Sequence, residues 1–147
     1  MFCGRFTHNI DKKGRMTVPS AYRELAPEGI VVTKGIDQCI MGLTKEAFQN
    51  MADSISSLSL TDPTSRAFGR QIISNSASLE YDSAGRILIP LHLRKLAGIE
   101  ENVIFVGVGD NFEIWSTEKF EAYEAGIDPE EQAKAFASLY VTTKRGN

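Results

Sequence analysis

Cysteine and histidine are scarce in this sequence. Cys3 and Cys39 could form at most one bridge in a chain of 147 residues, so reduced, mostly buried thiols are expected. His8 and His92 stand far apart, and no CxxC or HxxxH spacing gathers metal ligands, so neither a metal nor another cofactor is predicted. Long apolar runs are missing too. Nothing approaches the roughly 18 consecutive apolar residues of a membrane span. The opening MFCGRFTH lacks the apolar stretch of a secretion signal, and a soluble, cytoplasmic protein is expected. There is no nucleophile elbow, no P-loop and no metal cluster. These absences argue against an enzyme and against a small-molecule substrate.

What the chain does contain is enough apolar material for a core, with 42% hydrophobic and 24% charged residues, in one domain or two very small ones. Its net charge of −3, taken as an average, opposes nucleic-acid binding. The distribution points the other way. From Met1 to Arg23, the cations Arg5, Lys12, Lys13, Arg15 and Arg23 meet the single acid Asp11, whereas Glu118, Glu121, Glu124, Asp128, Glu130 and Glu131 face only Lys119. The sequence is electrically polarised.

An internal repeat sets the expected architecture. DKKGRMTVPSAYREL, starting at Asp11, returns as DSAGRILIPLHLRKL, starting at Asp82, with identities at Asp11/Asp82, Gly14/Gly85, Arg15/Arg86, Pro19/Pro90, Arg23/Arg94 and Leu25/Leu96. After a one-residue slip, VVTKGIDQCIMGLTKEAF from Val31 parallels VIFVGVGDNFEIWSTEKF from Val103. Each copy reads as strand, tight turn, strand, short helix, strand, turn, strand, helix. The glycine of DxxG tolerates positive φ, and the aspartate can bond the turn amides. RMTVP and RILIP are short β-rich runs stopped by proline. Ser20 to Ala26 and Leu91 to Ala97 have helical composition, with Gly98 as a C-terminal stop. Asp62 or Thr61 before Pro63, and Asp128 before Pro129, are helix starts; the last helix is expected to run to about Tyr140, and the tail TTKRGN to fray. A module this small has little interior, so the copies should share one core as a pseudo-dimer, exchanging strands to cover their edges.

The residues carry a family resemblance. MFCGRFTHNIDKKGRMTVPSAYRELAPEGIVVTKGIDQCIMGL strongly resembles the N-terminal half of the MraZ family, and LEYDSAGRILIPLHLRKLAGIEENVIFVGVGDNFEIW resembles its second half. The resemblance implies an α+β fold of two tandem AbrB-like swapped-hairpin modules, of the SpoVT-AbrB type. These are expected at residues 5–50 and 79–122, with a helical linker at 51–78 and a C-terminal helix and tail at 123–147. It also implies a transcriptional regulator of the division and cell-wall gene cluster, including its own gene, that assembles into rings on a series of short repeats in double-stranded promoter DNA at the nucleoid. Where many members have an aromatic residue and a proline after the third strand, this chain has Met41-Gly42-Leu43.

Carried over by position, the family's DNA-contacting loop falls on Asp11, Lys12, Lys13, Gly14 and Arg15, and its second copy on Asp82, Ser83, Ala84, Gly85 and Arg86. Lysines on a turn place mobile ammonium groups at phosphates, while an arginine can grip guanine through two parallel hydrogen bonds. Lys12 and Lys13 are therefore assigned to backbone positioning and Arg15 to base contact. Arg5 and Arg23 extend the patch, Arg86 leads the weaker second loop, and Gly14 belongs to the site as its turn residue. Thr7, Asn9 and Thr17 could touch phosphate. A plainer reading has Asp and Arg pairing across each turn; for Asp11 and Asp82 that reading is preferred, because phosphate repels a carboxylate. Trp115 is expected in the core or a subunit interface. Two alternatives remain at this point: from the same fold an AbrB-like antitoxin, which the duplication does not suit because such antitoxins usually supply one module per chain, and from another class a structural ring that binds proteins through an acidic face.

Overall fold

The computed structural model describes residues 1–144, so the last three residues of the TTKRGN tail lie outside it. The first half runs β1 (Arg5–Asn9), β2 (Arg15–Thr17), α1 (Ser20–Leu25), β3 (Ile30–Lys34), β4 (Ile40–Leu43) and α2 (Lys45–Ser56), and α3 (Pro63–Ile72) follows. The second half repeats the order as β5 (Ala77–Leu79), β6 (Arg86–Leu88), α4 (Leu91–Ala97), β7 (Asn102–Gly107), β8 (Phe112–Ser116) and α5 (Thr117–Ala125), and α6 (Pro129–Ala137) follows.

Local chemistry explains the helix ends. Asp62 and Asp128 cap α3 and α6 by accepting from the backbone N–H of Thr64 and Glu130, each with proline in the first turn. Gly98 closes α4 in the left-handed region at φ 65°, where a side chain would be strained. α6 stops at Ala137, short of the expected Tyr140, with Ser138 as its C-terminal cap.

The halves are interleaved. A six-stranded sheet runs in the order β1-β7-β8-β4-β3-β5, and β2 pairs with β6 in a separate two-stranded ribbon. Each half thus lends its first strand to the other: β1 lies on β7 and β5 on β3. The order is palindromic about the β4–β8 seam, where Ile40 faces Ile114, Met41 faces Glu113 and Gly42 faces Phe112. A pseudo-dyad passes there and through the Met16–Ile87 pair at the centre of the ribbon. This is the strand exchange that the repeat predicts and the α+β swapped-hairpin arrangement that the family resemblance implies.

Alternation along the strands divides the sheet's faces. The inner face joins the ribbon, α1 and α4 in one core that includes Met16, Val18, Tyr22, Ile87, Ile89, Leu93, Phe105 and Phe112, all essentially inaccessible. A smaller cluster of Cys39, Ile104, Val106, Trp115 and Phe120 fills the outer face beneath α5. Gly42 has a packing reason: a Cβ there would stand 2.3 Å from the Phe112 ring. The cysteines correct the expectation of mostly buried thiols. Cys39 is buried and its thiol is pushed up by burial, but Cys3 is exposed. No helix among the described residues is long and apolar enough to cross a membrane.

Candidate nucleic-acid interface

The loop joining β1 to β2 is built around one carboxylate. Asp11 Oδ1 accepts from the backbone N–H groups of Lys13 and Arg15, each at 2.9 Å, and Oδ2 accepts from Arg15 Nε at 2.8 Å. Gly14, at φ +91°, closes the bend by donating to the Asp11 carbonyl at 3.0 Å. The loop from Asp82 to Arg86 repeats every bond: Asp82 Oδ1 accepts from the N–H groups of Ala84 and Arg86, and Oδ2 from Arg86 Nε at 2.8 Å. Both carboxyls lie below the usual carboxylate range, chiefly through the backbone N–H of Arg15 and of Arg86.

The aspartates do pair with their arginines, and the pairing occupies only Nε. The guanidinium keeps the outer edge of its donor fork, now held in a fixed plane. On the ribbon, Met16 and Ile87 turn inward, so the alternation sends Arg15, Thr17, Arg86 and Leu88 to the outer side. Register places Arg15 opposite Leu88 and Thr17 opposite Arg86, which sets the two arginines diagonally, about 7–8 Å apart at the backbone. Leu88, 55% exposed, supplies an apolar spot beside Arg15. A two-stranded ribbon is narrow enough to enter a DNA major groove, roughly 12 Å wide.

Two further arginines lock the loops across the pseudo-dyad. Arg94 of α4 lies against Gly14, where a Cβ would come within 2.7 Å of its guanidinium carbon, and its Nε donates to the Ile89 carbonyl at 3.1 Å. Arg23 of α1 takes the same position against Gly85 and donates to the Val18 carbonyl. Arg23 therefore sits at the second loop, not beside Lys12 and Lys13 as its place in the sequence suggests. The first loop's neighbour is Arg94, which the alignment of Arg23 with Arg94 could have revealed. Lys12 and Lys13 are exposed at the tip of the first loop; their counterparts, Ser83 and Ala84, bring no charge.

The architecture is reflected in the comparison with known proteins. A family model described as "MraZ protein, putative antitoxin-like" matches twice, over residues 1–71 and 72–140. The chain belongs to the MraZ family. It is 45% identical to a protein of Thermomicrobium roseum over 122 residues, 83% of this chain and 86% of the relative. It is 41% identical to one of Caldanaerobacter subterraneus over 128 residues (87% and 90%), and 38% identical to one of Acetivibrio thermocellus over 141 residues (95% and 99%). Each relative bears the name transcriptional regulator MraZ.

Other sequence candidates lie elsewhere. Arg5 is not brought to either loop: it stands at the far end of β1, about 13 Å from Asn9 by strand rise. It is held there by Glu124 at 2.6 and 3.1 Å and lies 4.9 Å from the centre of the Phe120 ring. The cationic opening and the acidic C-terminal segment thus meet at this pair. Thr7 and Asn9 are exposed on the same side of β1 as Arg5, with Asn9 at the end of the strand that leads into the turn. Trp115 is buried beneath α5, donating to Glu113 at 3.0 Å and packing on Phe120 and Tyr123. Among the described residues there is no cluster of three or more potential metal ligands.

The Asp11 geometry fixes a pH dependence. A carboxyl whose folded pKa is depressed adds stability at any pH above its unfolded value and loses it as the pH falls through the folded value. Loop order should therefore be constant at neutral pH and fail only below about 4. Asp11→Asn keeps Oδ1 as the acceptor for the turn amides but sets a donating Nδ2 against the Arg15 Nε–H, which removes the brace, so a several-fold loss of DNA affinity is expected with an unchanged melting temperature. Anisotropy from pH 8 to pH 3, variant against wild type, checks the affinity and its pH dependence, and thermal unfolding of each at neutral pH checks the stability.

Proposed function

We propose that this chain is a sequence-specific, DNA-binding transcriptional regulator, acting in the cytoplasm at the nucleoid. It recognises short repeats in double-stranded DNA upstream of the division and cell-wall gene cluster and of its own gene, as a ring-shaped oligomer. One observation carries this reading: the outer side of the β2–β6 ribbon presents Arg15 and Arg86, each braced through Nε and related by the pseudo-dyad. Lys12 and Lys13 flank it as phosphate contacts, and Arg94 and Arg23 hold Gly14 and Gly85 in place from the opposite half. The names of the relatives agree with regulation of transcription.

Arg15 reads a base edge in this scheme, Lys12 and Lys13 set the register on the backbone, and Leu88 suits the methyl group of a thymine. A single copy neutralises only about two or three phosphates and so binds weakly at cellular salt. Assembly supplies what one copy lacks, since each further copy on a tethered repeat acts at high effective concentration, a gain of roughly 10²–10⁴. Anisotropy on labelled duplex from upstream of the chain's own gene tests this reading. Log affinity should fall against log salt with a slope of roughly −2 to −3 for each engaged copy. A slope near zero, or equal binding to scrambled duplex, would count for a protein-binding ring instead.

A further inference from the structure

α6 has nothing to rest on. None of its nine residues is buried, yet an isolated helix shorter than about 12–15 residues is marginal in water. The Asp128 cap and the Glu131–Lys134 pair at 3.7 Å add too little to hold it alone. Its sequence has a seam: Ala133, Phe136, Ala137 and Tyr140 recur at the spacing of one helical face carried on past its end, with Phe136 58% and Tyr140 91% exposed. Acids gather at its start, in Asp128, Glu130 and Glu131.

The other half of the molecule carries a matching surface. Between α2 and α3 lies an apolar groove lined by Ile55, Leu58, Leu60 and Ile73, with Arg66 and Arg70 among its walls and no acidic residue in its lining. Leu58 is 43% and Leu60 83% exposed. Arg66 Nη1 donates to the Leu60 carbonyl at 2.9 Å, which fixes the turn between the helices and one wall of the groove. An acidic helix with an aromatic face and an arginine-walled apolar groove are complementary in both charge and polarity. They belong to opposite halves of the chain.

We propose that α6 of one copy seats in the α2–α3 groove of the next, with Phe136 and Tyr140 in the groove and Glu130 and Glu131 toward Arg66 and Arg70. Because the helix belongs to the second half and the groove to the first, the contact is head to tail and repeats from copy to copy, the kind of interface that closes a ring. This inference rests on the ring reading proposed above and deepens it by naming the seam.

Two full-length variants test it by light-scattering mass without DNA: one with Phe136→Asp and Tyr140→Asp, the other with Leu58→Glu and Leu60→Glu. These positions are exposed, and a cooperative thermal unfolding transition is required of each variant before its mass is read. Each alone should be monomeric. Mixed one to one, they should form a heterodimer and nothing larger, because only one intact seam can be made. A variant that assembles like wild type, or a mixture that stays monomeric, overturns the proposal; so does a monomeric wild type, which would point to α6 folding onto its own chain. As a second measurement, Arg66→Glu with Arg70→Glu should disperse the assembly, and adding Glu130→Lys with Glu131→Lys should restore it. Failure of restoration counts against the pairing. The DNA reading fails separately, if correctly assembled wild type does not retain its upstream duplex.

Discussion

Arg15→Ala is expected to weaken binding to repeat-bearing promoter DNA by at least about 100-fold, with assembly and melting temperature unchanged. A bidentate arginine–guanine contact is worth about 1–3 kcal/mol of discrimination at a single site. In an assembly that engages several repeats the loss recurs at every copy. The fold should tolerate the change, because Arg15 is partly exposed and its ion pair with Asp11 is a surface one, of a kind that adds little to stability. Arg15→Lys should not rescue binding, since an ammonium offers a point charge in place of a fork. Arg86→Ala should cost less, because Ser83 and Ala84 bring no phosphate contact to that loop. Gel shifts at two salt concentrations rank the variants. Undiminished affinity in Arg15→Ala would leave the arginine with its ion pair as its only role.

Gly42→Val is expected to destabilise the fold by about 3 kcal/mol or more, the upper end of what overpacking costs in a core. Gly42 lies in β4, at the middle of the sheet between β3 and β8, so the backbone cannot shift to make room. The Phe112 ring that a new side chain would strike is fully buried, with ring centres of Phe2 and Tyr22 at 5.0 and 4.9 Å. In a chain of this size the loss corresponds to a fall in melting temperature of roughly 10 °C. Adding Phe112→Leu should recover part of it, because the two changes act on one contact. A Gly42→Val protein that melts with wild type would mean that Phe112 does not pack over this strand.

How much of this was legible in the sequence depends on what each residue does. Asp11, Gly14, Pro19 and their counterparts 71 positions on act on the backbone within a few residues, so their chemistry could be read locally. From them came the order of elements and the shared, strand-exchanged core. The placement of Arg23 was not legible. Its neighbour in space is Gly85, across the pseudo-dyad, and only the pairing of β2 with β6 brings them together. Arg94 and Leu88 likewise gain their meaning from the opposite half, and only the equivalence of Arg23 with Arg94 in the repeat points to the former. Arg5 looked like part of a cationic patch because charge was counted along the chain, whereas β1 carries it to Glu124 and Phe120. Met41-Gly42-Leu43 looked like a departure from the family pattern. The glycine's purpose became visible only when Phe112 was found opposite it.

The two loops are alike in geometry and unlike in charge. Every bond around Asp11 has a twin around Asp82, so both halves can present an arginine in the same way. Two lysines on the first loop alone then make the ribbon asymmetric toward a polyanion. A DNA repeat read by this surface should accordingly be an imperfect palindrome at most, with the stronger half under Arg15.

In the proposed binding mode, many weak, arginine-tipped grips act together. The most direct measurement is the affinity of the assembled wild type for duplexes from upstream of its own gene carrying one, two, three or four copies of the repeat, at fixed physiological salt. Affinity should climb steeply with each added copy, by roughly 10²-fold or more across the series. Affinity that is the same for one copy as for four, or no binding to any of them at low ionic strength, would contradict it.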